Sequence, residues 1–117
     1  MPSKYLKNLI ERRDAGVCWH CGTDVDTTIH HRLNRGMGGD KTADKVADRP
    51  SNLLTICQHF NFLMESDLDA AREAKDKGLK LRRGNLTTDA PVQYYDGSWW
   101  VLTDHGTKFQ LEQKGLF

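Results

Sequence analysis

Pro50-Ser51-Asn52-Leu53-Leu54-Thr55-Ile56-Cys57 is the stretch on which the reading of this fold turns. A proline-serine break and an asparagine lead into an apolar run of strand length that ends on a cysteine. Upstream, Thr27-Thr28-Ile29-His30-His31 is a second short strand, β-branched at first and closed by two adjacent histidines. Downstream, from about residue 59 to 77, Leu68, Ala70, Ala71 and Ala74 among many charges predict one helix, with Gly78 as its cap. Asn61 and Glu65 are four apart, so they share a helix face. The expected arrangement is an antiparallel pair of strands followed by a helix that turns polar side chains toward the histidines.

Working outward, Asn34 to Asp40 places three glycines in four positions, which removes any helix or strand preference. The run fits neither the phosphate-loop pattern nor the dinucleotide fingerprint. Residues 41–49 are charged and read as a loop. Toward the N-terminus, Ser3 caps a helix over residues 4–14 with Tyr5, Leu6, Leu9 and Ile10 as its apolar stripe, ended at Gly16. Cys18-Trp19-His20-Cys21 is the tight turn of a zinc knuckle, which presents two thiolates to one ion. Cys57 supplies a third thiolate. The position three residues on is Phe60, so His59 or His20 would have to supply a fourth ligand, or packing alone holds the turn. Toward the C-terminus, Leu79 and Leu81 alternate with basic residues as a strand does. Val92 to Tyr95 and Trp99 to Leu102, joined at Asp96-Gly97, predict a β-hairpin with a two-residue turn. Trp99, Trp100, Tyr94 and Tyr95 alternate across its faces, more as core than as a platform for bases. His105, like any lone histidine, reads as structural or solvated.

At 117 residues the chain suits one domain with one modest core. Hydrophobic content of 38% and charged content of 28% are those of an ordinary globular protein. A formal net charge of +1 does not by itself announce a nucleic-acid partner. Its distribution says more: Arg32, Arg35, Lys41, Lys45 and Arg49 gather around the central loop, and Lys75, Lys77, Lys80, Arg82 and Arg83 follow the helix. No run is long and apolar enough for a membrane span, and the N-terminus lacks a signal-peptide core. Three cysteines, two of them in a C-x-x-C turn, fit metal chemistry in a reducing compartment, so a cytoplasmic location is expected.

Hydrolysing a phosphodiester near neutral pH needs an activated water and neutralised charge on the phosphate. Adjacent histidines at a strand end point to opposite sides, so one can bind a metal while the other faces the water. Cys18-x-x-Cys21, Ile29-His30-His31-Arg32, Arg35-Gly36-Met37-Gly38-Gly39, Pro50-Ser51-Asn52-Leu53-Leu54, Cys57, Asn61 and Glu65, in that order, resemble the HNH endonucleases. The likeness is to the small HNH proteins of bacteriophages infecting actinobacteria. It implies an α+β fold with a ββα-metal (His-Me finger) core over about residues 18–78. An N-terminal helix would precede the core and a C-terminal β-hairpin extension would occupy about residues 79–117, all within one nuclease domain.

The resemblance further implies that His31 is the general base, that His30 binds a catalytic divalent ion, and that Asn52 is the middle residue of the motif with a structural role. Asn61 stands where many members carry the last histidine, which makes this an H-N-N variant, and Glu65 is a further ligand. Neutral oxygen from Asn61 suits Mg²⁺ or Mn²⁺, leaving Zn²⁺ for a structural site at Cys18, Cys21 and Cys57 with His59. Arg32, Arg35, Lys41 and Arg49 are the expected DNA contacts. The implied activity is metal-dependent DNA cleavage in phage DNA processing or packaging, with DNA and a phage terminase as partners. Two other readings use the same residues: a zinc-knuckle nucleic-acid-binding module without catalysis, and a terminase-associated adaptor.

Overall fold

Thr27–His31 (β1) and Leu53–Cys57 (β2) pair antiparallel, with Ile29 opposite Thr55 and His31 opposite Leu53. A short 3-10 turn at Pro50–Asn52 delivers the chain into β2. Every residue of β2 is buried, because elements cover both its faces and its far edge. That edge is closed by polar groups rather than by a third strand. The Thr55 N–H donates to Asp14 Oδ2 (2.9 Å), the Trp19 N–H donates to the Thr55 carbonyl (3.0 Å), and Arg13 donates to the Leu53 carbonyl (2.6 Å). The computed structural model describes residues 3–33 and 48–111, so the glycine-rich loop with Arg35 and Lys41 lies outside the described residues.

Helix α1 runs Lys4–Asp14, begun by Ser3, whose hydroxyl accepts the Leu6 N–H, and ended by Ala15 and Gly16, both with positive φ. Ile10 is buried, but Tyr5 is 72% exposed, so the apolar stripe is narrower than expected. At the end of the helix Arg13 and Asp14 form a buried bidentate pair.

The long helix expected after β2 is two helices, α2 (Gln58–Ser66) and α3 (Leu68–Asp76). Asp67 causes the break: in extended conformation, its carboxylate accepts the Ala70 N–H (2.9 Å) and caps α3, while its own N–H closes α2 on Leu63. Gly78 follows α3 at φ +73°, where a Cβ would collide with the Pro91 carbonyl oxygen. Leu79 and Leu81 are buried but are not in a strand. Their alternation comes from a connecting segment laced to β1 and its continuation: His30 Nε2 bonds the Leu79 carbonyl (2.8 Å), Leu81 N–H donates to the Arg32 carbonyl (2.8 Å), and Arg32 Nε donates to the Gly78 carbonyl (2.9 Å).

The C-terminal hairpin is a three-stranded antiparallel sheet, β3 (Val92–Gln93), β4 (Trp99–Leu102) and β5 (Lys108–Leu111). Its first turn has three residues rather than two. Gly97 N–H donates to the Tyr94 carbonyl (3.0 Å) and Tyr94 N–H to the Ser98 carbonyl (2.8 Å), with Gly97 at φ +93°. Thr103 to Thr107 repeats this pattern around Gly106, which makes β5 the partner that the sequence reading missed. Trp19, Ile56, Met64, Leu79, Val92 and Leu102 belong to one buried cluster, so the C-terminal sheet shares a core with the strand pair. The described fold is thus α+β, with three α-helices and two small antiparallel sheets. No described helix is long and apolar enough to cross a membrane.

Candidate functional site

His30, His31, Asn61 and Glu65 line one recess, together with Ile29, Arg32 and Lys80. β1 carries the histidines and the first two turns of α2 carry the asparagine and the carboxylate. Pairing of the strands sets α2 beside the end of β1. His30 is 7% exposed, and burial pulls its pKa down to about 4, so the ring is neutral at physiological pH. A carbonyl oxygen can only accept, so the Nε2–H of His30 donates to Leu79 and its Nδ1 carries the lone pair. Asn61 and Glu65 add a carbonyl and a carboxylate oxygen to the same wall. Those donors can serve a hard divalent ion whose remaining coordination comes from water or phosphate.

His31, the last residue of β1, lines the recess as well. Its Nε2 faces Asp48 Oδ1 at 3.4 Å, so an acid lies within reach to orient the ring. Asp48 was not among the residues the sequence singled out. His31 also borders a larger groove of about 670 Å³ between α1 and β1, lined by Lys7, Glu11, Asp24 and Thr28 among others. The histidine therefore stands where two concavities meet.

Asn52 is fully buried and clamps the chain just past the histidines. Its Oδ1 accepts the Leu33 N–H (2.7 Å), its Nδ2 donates to the Leu33 carbonyl (3.4 Å), and its own carbonyl accepts the Arg32 N–H (2.8 Å). The 3-10 turn is held from the other side, where Ser51 Oγ bonds Asp104 Oδ1 and Thr87 Oγ1.

Arg32 requires a correction. It was expected to contact DNA, but it is completely buried and its guanidinium donates to the carbonyls of Gly78, Ser51, Thr87 and Ala90. Five fixed donors suit it to gathering several carbonyls at one point, and in that role it reaches no phosphate. Arg49, at the surface, faces Asp104 at 3.7 Å.

Cys18, Cys21 and Cys57 form a second site, with all three sulfurs within 4.8 Å of one another. Cys21 and Cys57 Sγ are 3.8 Å apart, close to the spacing of about 3.8 Å set by tetrahedral metal–sulfur bonds near 2.3 Å. Backbone N–H groups of His20 and Phe60 donate to Cys18 and Cys57 sulfur (3.3 and 3.4 Å). Burial pushes the Cys18 thiol up to about 11. Partial burial also raises Cys21, but hydrogen bonds from Thr23, Cys18 and Cys57 outweigh it and leave this thiol below its usual range. Three sulfurs so arranged can bind a metal ion. Among the described residues, no histidine belongs to the cluster. His59, expected as a ligand, is exposed on α2. His20 is turned away, with its Nε2 2.9 Å from Glu73 Oε2 and its ring stacked 3.6 Å from that of Phe60.

Comparison with protein-family models, curated proteins and solved structures finds no match for this chain.

Proposed function

We propose that this protein is a metal-dependent DNA endonuclease of the HNH type, with β1, β2 and α2 as its ββα-metal core. The observation that carries the reading is the single recess in which His30, His31, Asn61 and Glu65 meet at the end of a strand pair. A packing role does not account for a neutral histidine with a free Nδ1, an amide and a carboxylate gathered beside a second histidine that is oriented by an acid.

In this reading His31 takes the proton of the attacking water, and Asp48 orients the ring and steadies the imidazolium that forms. Asn52 fixes the backbone at Leu33 and so the height of the histidine strand, which sets the direction in which His31 faces. His30, Asn61 and Glu65 would hold Mg²⁺ or Mn²⁺. Such an ion supplies charge neutralisation at the phosphate and at the departing oxygen. Cys18, Cys21 and Cys57 would hold Zn²⁺ as a staple between the knuckle and the end of β2. Arg49, with Arg35 and Lys41 in the loop, would meet the DNA backbone. Phage DNA processing or packaging beside a terminase is the setting this activity fits.

Incubation of supercoiled plasmid with the purified protein and Mg²⁺, Mn²⁺, Zn²⁺ or a chelator tests the proposal. Nicked or linear product that requires Mg²⁺ or Mn²⁺ and vanishes with chelator is expected. Binding of DNA with no cleavage under any metal would leave a nucleic-acid-binding module instead, and absence of both would leave the adaptor.

A further inference from the structure

Lys80 is the one side chain in the recess that neither the motif nor the strand pattern places there. It belongs to the segment after α3, yet the fold holds it over the histidines. Its neighbours Gly78, Leu79 and Leu81 are hydrogen-bonded to Arg32 or His30, and its own N–H donates to the Ala74 carbonyl (3.2 Å). Backbone bonds on both sides thus fix where the lysine begins. Its side chain is 22% exposed and ends 3.6 Å from Glu65 Oε2.

That ion pair is loose and its carboxylate partner is 64% exposed, so it adds little to stability and opens at little cost. An ammonium on a short, tethered reach above one carboxylate is suited to exchange that carboxylate for a phosphate oxygen.

We infer that Lys80 is the phosphate-contacting group of this recess: it pairs with Glu65 in the free protein and moves to a non-bridging oxygen of the DNA phosphate when substrate enters. This rests on the nuclease reading for the identity of the substrate. The transfer leaves Glu65 available to a divalent ion as the phosphate arrives, and it places a positive charge where the phosphorane gains negative charge.

The test uses Lys80→Met, which keeps the apolar stem and removes the charge, with Lys80→Gln and Lys80→Arg beside it. Affinity for a fluorescently labelled DNA duplex is measured in chelator across a salt series, and single-turnover cleavage is measured at saturating DNA with Mg²⁺. Removing one phosphate contact should lower the slope of log affinity against log salt by about 0.9 for Lys80→Met and Lys80→Gln, and leave it unchanged for Lys80→Arg. Cleavage at saturation should fall by roughly 10²-fold in the first two variants. An unchanged slope overturns the inference, whether or not the wild type cleaves. A lowered slope with an unchanged rate at saturation also overturns it, since the lysine would then hold DNA away from the reacting phosphate. Should wild type bind DNA and never cleave, the nuclease reading fails on its own, and the slope still decides whether Lys80 contacts phosphate.

Discussion

At the scale of single residues, the two histidines differ more than their adjacency suggests. His31→Ala removes only the proposed base, so cleavage should fall by about 10²–10⁴-fold while DNA affinity in chelator and the melting temperature stay close to wild type. A variant that cuts at the wild-type rate would take His31 out of this role. His30 makes a different prediction, because burial lowers its pKa from 6.5 to about 4. Between those values the unfolded chain binds a proton that the folded chain does not. Stability in chelator should therefore decline as pH drops from about 6.5 to about 4 and level off below, by up to about 3 kcal/mol from this residue. Urea denaturation of wild type and His30→Gln across that window measures it: the variant should show a shallower pH dependence, and equal slopes would refute the assignment.

At the scale of elements, the three thiols lie where the knuckle meets the end of β2. If they hold zinc, the protein as purified should contain about one equivalent. Cys21→Ser should then lose that zinc and melt at a lower temperature, since metal binding at such a site contributes to folding directly. Elemental analysis and thermal melts with and without chelator decide the matter. Identical melting of the metal-free protein would mean that the knuckle stands on its packing, with the His20–Phe60 stack beside it. The break at Asp67 shows why one helix was expected and two formed. Composition over residues 59–77 is helical throughout, and a single carboxylate that caps the second helix is enough to divide it.

At the scale of the molecule, buried charge joins parts that are far apart in sequence. Asp14 takes the Thr55 N–H and two of the three Arg13 guanidinium nitrogens, and Arg13 reaches the carbonyls of Pro50 and Leu53. Helix α1 is thereby tied to the start and the middle of β2 and to the turn before it. Asp14→Ala leaves a buried guanidinium without its counter-charge, and it should cost about 3–5 kcal/mol, read as a lower denaturation midpoint. A cost below about 1 kcal/mol would mean that Arg13 finds water on relaxing. Asp104 does a similar task from the C-terminal sheet, by holding Ser51 and with it the turn before Asn52.

The two short strands, the first helix, the C-x-x-C turn and the shared helix face of Asn61 and Glu65 were legible in the sequence. Each of these is written in local terms: β-branched runs, a cap, a cysteine spacing, a four-residue spacing on a helix. The rest came from how distant segments pack. Arg32 looked like a DNA contact because an arginine in a basic stretch reads as surface, and its burial depends on four carbonyls from three separated segments. Lys80 and Asp48 enter the site because chain folding, not spacing, sets them beside the histidines. His59 lies close in sequence to Cys57 yet outside the thiol cluster, since the first turn of α2 directs it to solvent. Periodicity records which way a side chain faces within its own element. Which distant group it meets is fixed by packing, where burying an arginine demands that its donors find acceptors.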